Sequence, residues 1–247
     1  MSIAVFVLLL LTGIGTGLVG YLTGLASLVS YPVLLAVGLP PVAANVTNTL
    51  GLVGAGVGST ARGARHFLTT DRRATLWQSA IAAIGGLVGA GLLLVGGESS
   101  FKSIVPWLVL LASVLLLLEP KITGLRGEHS TPVWLYTTLL FCVCIYGGYF
   151  GAGSGVIYLA VTALFSRMAF EKAVFIKSML LALSNLTASL LFAFFGPVDW
   201  WAALALGIGC IIGGNFGPPI QRHIPELAMR WTIALAGLVL AIWLWRS

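Results

Sequence analysis

A helix needs about 20 apolar residues to span a bilayer, and this chain is built of apolar runs near that length. Cut at its glycines, prolines and charge clusters, it gives ten segments, at about 3–22, 24–39, 42–61, 74–95, 103–119, 133–150, 155–168, 172–195, 200–219 and 227–245. Two breaks are rich in glycine and carry no charge. Gly20-Tyr21-Leu22-Thr23-Gly24 separates segments one and two, and Gly147-Gly148-Tyr149-Phe150-Gly151-Ala152-Gly153-Ser154-Gly155 separates six and seven.

Composition agrees with the pattern. Only 8% of the 247 residues are Asp, Glu, Lys or Arg, against roughly a quarter in soluble proteins, and the mean hydropathy is +1.04. So few charges cannot cover a water-soluble globule of this size. The expected fold class is an all-α polytopic membrane protein of about ten transmembrane segments. No charge precedes Arg62, and the start Met1-Ser2-Ile3-Ala4-Val5-Phe6 lacks the basic region of a secretory signal, so it reads as a retained membrane segment. Three cysteines inside apolar stretches argue against a disulfide framework and read as small buried packing residues.

The net charge of +6 sits in short loops, which makes it a topology signal and not a nucleic-acid signal. If all ten segments count as passes, Arg62, Arg65, Arg72, Arg73, Lys121, Arg126, Arg167, Lys172, Arg222 and Arg230 fall on one face. Only Lys102 and Arg246 fall on the other. Merging each glycine-broken pair into one crossing would divide the charges almost evenly. The positive-inside rule therefore puts the basic face in the cytoplasm and both termini outside. A re-entrant hairpin has the same parity as two full passes, so charge does not separate those two.

The chain also repeats itself at an offset of 128 residues. Gly20-Tyr21 matches Gly148-Tyr149, Asp71 matches Asp199, Gly85-Gly86 matches Gly213-Gly214 and Gly89 matches Gly217. Two five-segment repeats follow, 1–120 and 133–247, joined by a cytoplasmic linker at 121–132. An odd number of passes per repeat inverts the second relative to the first, an architecture recurrent among secondary transporters.

In such transporters, short or glycine-interrupted segments at matching places point to the substrate site. Segments two and seven fit, and their hairpins would enter from opposite faces and meet near the midplane. Freed N–H groups and the positive ends of short helices could hold an anion there. Alternatively, the glycines serve only close helix packing, as Gly54/Gly58, Gly85/Gly89 and Gly213/Gly217 are expected to do. The third segment of each repeat carries the polar content: Asn45-Val46-Thr47-Asn48-Thr49 in one, and Lys177-Ser178, then Ser184-Asn185, in the other. An ammonium deep in a spanning helix costs about 2.5–3.5 kcal/mol on insertion scales, so Lys177 is a functional candidate. It either offers its charge to an anionic substrate, or snorkels or pairs with a backbone carbonyl.

All seven acidic residues, and His66, His129 and His223, fall in loops or at segment ends, which disfavours coupling through a buried carboxylate. Gly15-Thr16-Gly17-Leu18-Val19-Gly20 has the spacing of a dinucleotide loop but follows a membrane segment instead of a strand. Cys142 and Cys144 point about 200° apart on a helix, which removes a shared metal site. No cofactor or metal is required.

The repeated glycine-rich break, Ala44-Asn45-Val46-Thr47-Asn48 after Pro40-Pro41, the Gly196-Pro197-Val198-Asp199-Trp200 turn and the Gly213-Gly214 helix resemble the TauE/SafE sulfite exporter family, also called the toluene sulfonate uptake permease family. The resemblance covers both halves. It implies a bacterial or archaeal inner-membrane transporter, in the exporting direction, of sulfite, thiosulfate, sulfonates or similar small anions. The family's glycine-rich signature carries over to Thr23, Gly24 and Ser27, and to Gly151, Gly153, Ser154 and Gly155. Its small-polar signature carries over to Thr47, Asn48 and Thr49, and to Lys177 and Ser178. The first break has less glycine than is usual, and Ile176-Lys177-Ser178 replaces a Thr-Ser pair common in the family, so substrate preference is expected to differ.

The expected partners are a small anion and the lipid bilayer; nothing in the pattern specifies an oligomeric state. An anion channel is the nearest alternative and a membrane-embedded enzyme a more distant one. The charge pattern makes a direct prediction. In a background without the native cysteines, Leu68→Cys and Leu125→Cys should label with an impermeant maleimide only from the cytoplasmic face, and periplasmic labelling of either would overturn the topology.

Overall fold

The computed structural model describes residues 2–60, 72–124, 132–166, 168, 170–220 and 226–246. The described residues form α1 (Ile3–Thr23), α2 (Ala26–Ala36), α3 (Pro41–Thr60), α4 (Arg72–Gly124), α5 (Val133–Tyr149), α6 (Ser154–Phe165), α7 (Phe170–Phe195), α8 (Trp200–Ile220) and α9 (Glu226–Arg246). The basic loops at 61–71 and 125–131 lie outside the described residues, as do Arg167 and 221–225.

Local chemistry sets several boundaries. Ser2 caps α1, its hydroxyl accepting from the Val5 N–H at 3.3 Å. The Asp199 carboxylate accepts from the Ala202 N–H at 2.9 Å at the start of α8. Helix α4 runs for 53 residues and departs from helical geometry at one residue, Gly97, with φ 69° and ψ −177°. That region is open essentially to glycine alone. Its arms, 72–96 and 98–124, correspond to the fourth and fifth apolar segments, but the polar stretch between them is not a loop. Lys102 pairs with Glu98 at 2.9 Å and the Ser103 hydroxyl donates to the Ser99 carbonyl at 3.0 Å, so helix resumes at once beyond the glycine.

Among the described residues, three stretches, Ile3–Gly20, Arg73–Leu118 and Lys172–Phe195, are long and apolar enough to cross a membrane. Large apolar side chains cover the outside, among them Val95, Trp134, Phe194, Phe195 and Val239. A surface of this kind is stable against lipid and not against water. The chain is an all-α polytopic membrane protein with at least three long apolar helices.

With no hydrophobic drive between helices in lipid, association depends on close backbone approach. Helix α1 packs most extensively on α8, and α5 on α4. A Cβ on Gly17 would lie 2.5 Å from the Cys210 carbonyl oxygen, and one on Gly213 would lie 2.0 Å from that of Ile14. At the α4–α5 contact, a Cβ on Gly89 would lie 2.1 Å from the Ile145 carbonyl oxygen. Gly54 and Gly58 meet α8 in the same way, at the carbonyls of Gly207 and Ile211. Among the cysteines, Cys144 and Cys210 are buried as expected, but Cys142 is exposed. It lies two residues from Cys144 and so on the opposite face of α5, away from the core.

Gly91 meets nothing within 4 Å of a Cβ position. Gly91→Ala should therefore leave the melting temperature unchanged or raise it, by up to about 1 kcal/mol of helix propensity. Gly213→Ala should lower it, since overpacking costs about 1–3 kcal/mol or more. Equal melting temperatures in detergent would contradict the packing role of Gly213.

Candidate functional site

The two glycine-rich breaks become two hairpin tips. The first closes at Gly24, which caps α1 in the left-handed region with φ 74° and donates its N–H to the Gly20 carbonyl. The second contains Gly151 and Gly153, both with φ 79°. It is stitched internally: the Tyr146 hydroxyl donates to the Ala152 carbonyl, the Ser154 hydroxyl donates to the Gly151 carbonyl at 2.8 Å, and the Gly151 N–H donates to the Tyr146 carbonyl. Such internal satisfaction is what irregular backbone inside a membrane requires.

The tips touch. A Cβ on Gly24 would lie 2.6 Å from the Cα of Gly155, and one on Gly155 would lie 2.6 Å from the Cα of Gly24. Beside this contact is a cavity of about 50 Å³, to which the first hairpin contributes Gly20, Gly24, Ala26 and Ser27 and the second Gly151 and Ser154. Helix α3 adds Leu52, Ala55 and Gly56, and α7 adds Ser178, Leu181, Ala182 and Asn185. The two helices cross tightly here, a Cβ on Gly56 falling 2.1 Å from that of Ala182.

Among the described residues, the lining contains no carboxylate and no histidine. Ser27 accepts from the Asn48 amide at 3.1 Å, which leaves its own proton available to the cavity. The Ser178 hydroxyl donates to the Val174 carbonyl at 3.0 Å and offers lone pairs. Helices α2 and α6 begin at this cavity, which brings the positive ends of their dipoles beside it; the first N–H of α6, that of Ser154, is donated to the Gly151 carbonyl at 3.1 Å.

Lys177 is fully buried. Its Cδ lies 3.1 Å from the Cβ position of Gly155, and it makes an interaction within the protein. Complete burial removes snorkelling, since the stem does not carry the ammonium to the surface. The residue stands directly behind the tip contact, one position from the cavity-lining Ser178.

The candidates from sequence thus separate into three groups. Gly24, Ser27, Gly151, Ser154 and Ser178 line the cavity. Gly153, Gly155, Asn48 and Lys177 support it from behind; Gly153 packs on Ala112 and Leu25, and Asn48 bonds to Ser27 while also accepting from Ser30. Thr47 and Thr49 lie outside that lining: the Thr47 hydroxyl accepts from the Asp199 N–H at 3.0 Å, beside the turn before α8, and that of Thr49 donates to the Asn45 carbonyl at 2.9 Å. Thr23 ends α1, and its side chain lies outside the described residues.

Several lining residues carried no chemical signal in the sequence, notably Leu52, Ala55, Gly56 and Ala182, whereas Gly20 belongs to the first glycine-rich break and Asn185 to the polar content of its helix. Periodicity marks the former instead. Leu52, Ala55 and Gly56, like Ser178, Leu181, Ala182 and Asn185, follow the spacing of one helical face.

Similarity to known proteins agrees with this architecture. The chain is 26% identical over 229 residues to the probable membrane transporter protein ORF9 of Sinorhizobium sp, covering 92% of this chain and 87% of that one. It is 25% identical to the probable membrane transporter protein YfcA of Escherichia coli strain K12, over 91% and 84% of the two chains. It is also 26% identical to the probable membrane transporter protein YunE of Bacillus subtilis strain 168, over 94% and 96%. No solved structure matches. The sulfite exporter TauE/SafE family matches residues 9–244, nearly the whole chain, and the protein belongs to that family of membrane transporters.

Proposed function

We propose that this transporter carries a compact sulfur oxyanion or small organosulfonate, with the hairpin cavity as its substrate site. The observation that carries the reading is the meeting of Gly24 and Gly155, which puts Ser27 and Ser154 on one cavity with Lys177 directly behind it. The wall supplies what an oxyanion needs: hydroxyl and amide donors, two helix N-terminal ends and a nearby cation, with no carboxylate to repel it. The cavity of about 50 Å³ exceeds the roughly 10–15 Å³ that a single water needs, so it has room for a small polar ligand.

The two five-segment halves are read as an inverted repeat. In support, the packing of α1 on α8 has its counterpart in that of α5 on α4, and α3 and α7 cross at the cavity. The loop charges support an inner-membrane orientation with both termini outside, and the family's name supports export. Alternating access by rocking of one half against the other follows from this architecture.

Uptake into proteoliposomes of sulfite, sulfate, thiosulfate and alkyl sulfonates, with and without a pH gradient, tests the substrate class. Sulfite or a sulfonate should be carried, and absence of flux for all of them would overturn the proposal. Lys177→Met removes a desolvation cost and should insert and fold normally, while flux of the carried anion falls at least about tenfold. Lys177→Arg keeps the charge as a planar fork and should alter substrate preference more than expression. Unchanged flux in folded Lys177→Met would leave only the neutral donors as site residues.

A further inference from the structure

The hairpin cavity has a closed side. A groove of about 580 Å³, lined in part by Leu35, Pro41, Lys102 and Trp243, opens at the end of the molecule where α2 gives way to α3. Between groove and cavity stand three fully buried aromatic side chains, Tyr31, Phe101 and Phe150. The Tyr31 and Phe150 rings meet edge-on with centroids 5.4 Å apart, and Phe101 lies 5.9 Å from both Phe150 and Tyr149.

Two helices give the same order from opposite directions. Along α2, Ser27 lines the cavity, Tyr31 belongs to the aromatic cluster and Leu35 lines the groove. Along α3, Pro41 lines the groove, Asn45 stands at the cluster and Leu52 lines the cavity. Asn45 is fully buried, and its amide donates to the Tyr149 carbonyl at 2.8 Å, immediately before Phe150. One turn further on, Asn48 is bonded to Ser27 and Ser30 of the first hairpin. A single turn of α3 therefore holds both hairpins.

The Tyr31 hydroxyl and the Asn45 side-chain oxygen are buried in the closed cluster without a hydrogen-bond partner from the protein. Both atoms would gain partners from water once the cluster parts. At the 128-residue offset, Asn45 and Asn48 correspond to Ala173 and Ile176, which have no amide to make these bonds.

We infer that Asn45 is a positioning residue: through the Tyr149 carbonyl it holds Tyr31, Phe101 and Phe150 closed as a gate between the cavity and the groove on the Lys102 face. Its part in transport rests on the proposed role of the cavity as the substrate site. The gate itself does not.

The test uses the full chain without native cysteines and with Ala55→Cys reporting from the cavity wall. An impermeant maleimide is applied to right-side-out and inverted vesicles, with Lys102→Cys in a parallel preparation identifying which vesicle presents the groove. Asn45→Ala should raise labelling of the reporter from the Lys102 face at least about tenfold, with little change from the other face. Phe101→Ala, which leaves the amide bond untouched, should do the same. A rate within twofold of the parent for a folded variant, or an equal rise from both faces, overturns the gate. If Asn45→Ala does not fold, Phe101→Ala decides alone. Protection of the reporter by a saturating alkyl sulfonate is read separately: its absence removes the substrate-site reading, and the sidedness of labelling still decides the gate.

Discussion

Backbone that leaves helical geometry inside a bilayer must find its hydrogen-bond partners within the protein. The second hairpin tip meets this constraint, and much of the remaining structure follows from it. Glycines with positive φ turn the chain, and side chains take up the carbonyls that the turn releases: Tyr146 at Ala152, Ser154 at Gly151 and Asn45 at Tyr149. The tips then have to be wrapped by other helices, which draws α3 and α7 together at Gly56 and Ala182 and brings Gly24 onto Gly155. A larger side chain at that contact would force the tips apart and put unpaired backbone against lipid.

Much of the architecture was legible in the sequence because membrane helices advertise themselves by length and apolarity, and hairpin tips by glycine. The expected segments fall within helices, the fourth and fifth sharing one that is kinked at Gly97, and both breaks are turns at glycine. The side-chain assignments fared less evenly. Thr47 looked like a site residue because it is a hydroxyl in an apolar helix, yet its partner is the Asp199 N–H, 152 residues away in the chain. Asn45 reaches Tyr149 across 104 residues. Such pairings depend on how helices rotate against one another, which hydropathy does not encode. The stretch beyond Gly97 was misread for a different reason: Glu98-Ser99-Ser100 is polar enough for a loop, but one glycine kinks the chain and the polar residues resume the helix. The exposure of Cys142 was hidden because an apolar helix gives no sign of which face meets lipid.

The two tips are related but not interchangeable. Gly24 and Gly151, Ser27 and Ser154, and Tyr31 and Tyr158 correspond at a spacing one residue short of the 128-residue register. Ser27 is oriented from outside its hairpin by Asn48, whereas Ser154 is bonded within its own tip. A ligand between them would meet one hydroxyl with its proton free and one whose proton is already used.

The contact between Gly24 and Gly155 also bears on how the chain is made. Helices α2 and α6, of 11 and 12 residues, are too short to cross a bilayer alone, where about 20 residues are needed. The first tip is synthesised more than a hundred residues before the glycine that covers it. Until α6 emerges, Gly24 lacks the glycine that covers it in the finished protein, and the first hairpin is held by earlier neighbours such as α3, through Asn48. Completion of the second half is then the event that closes the cover over the first.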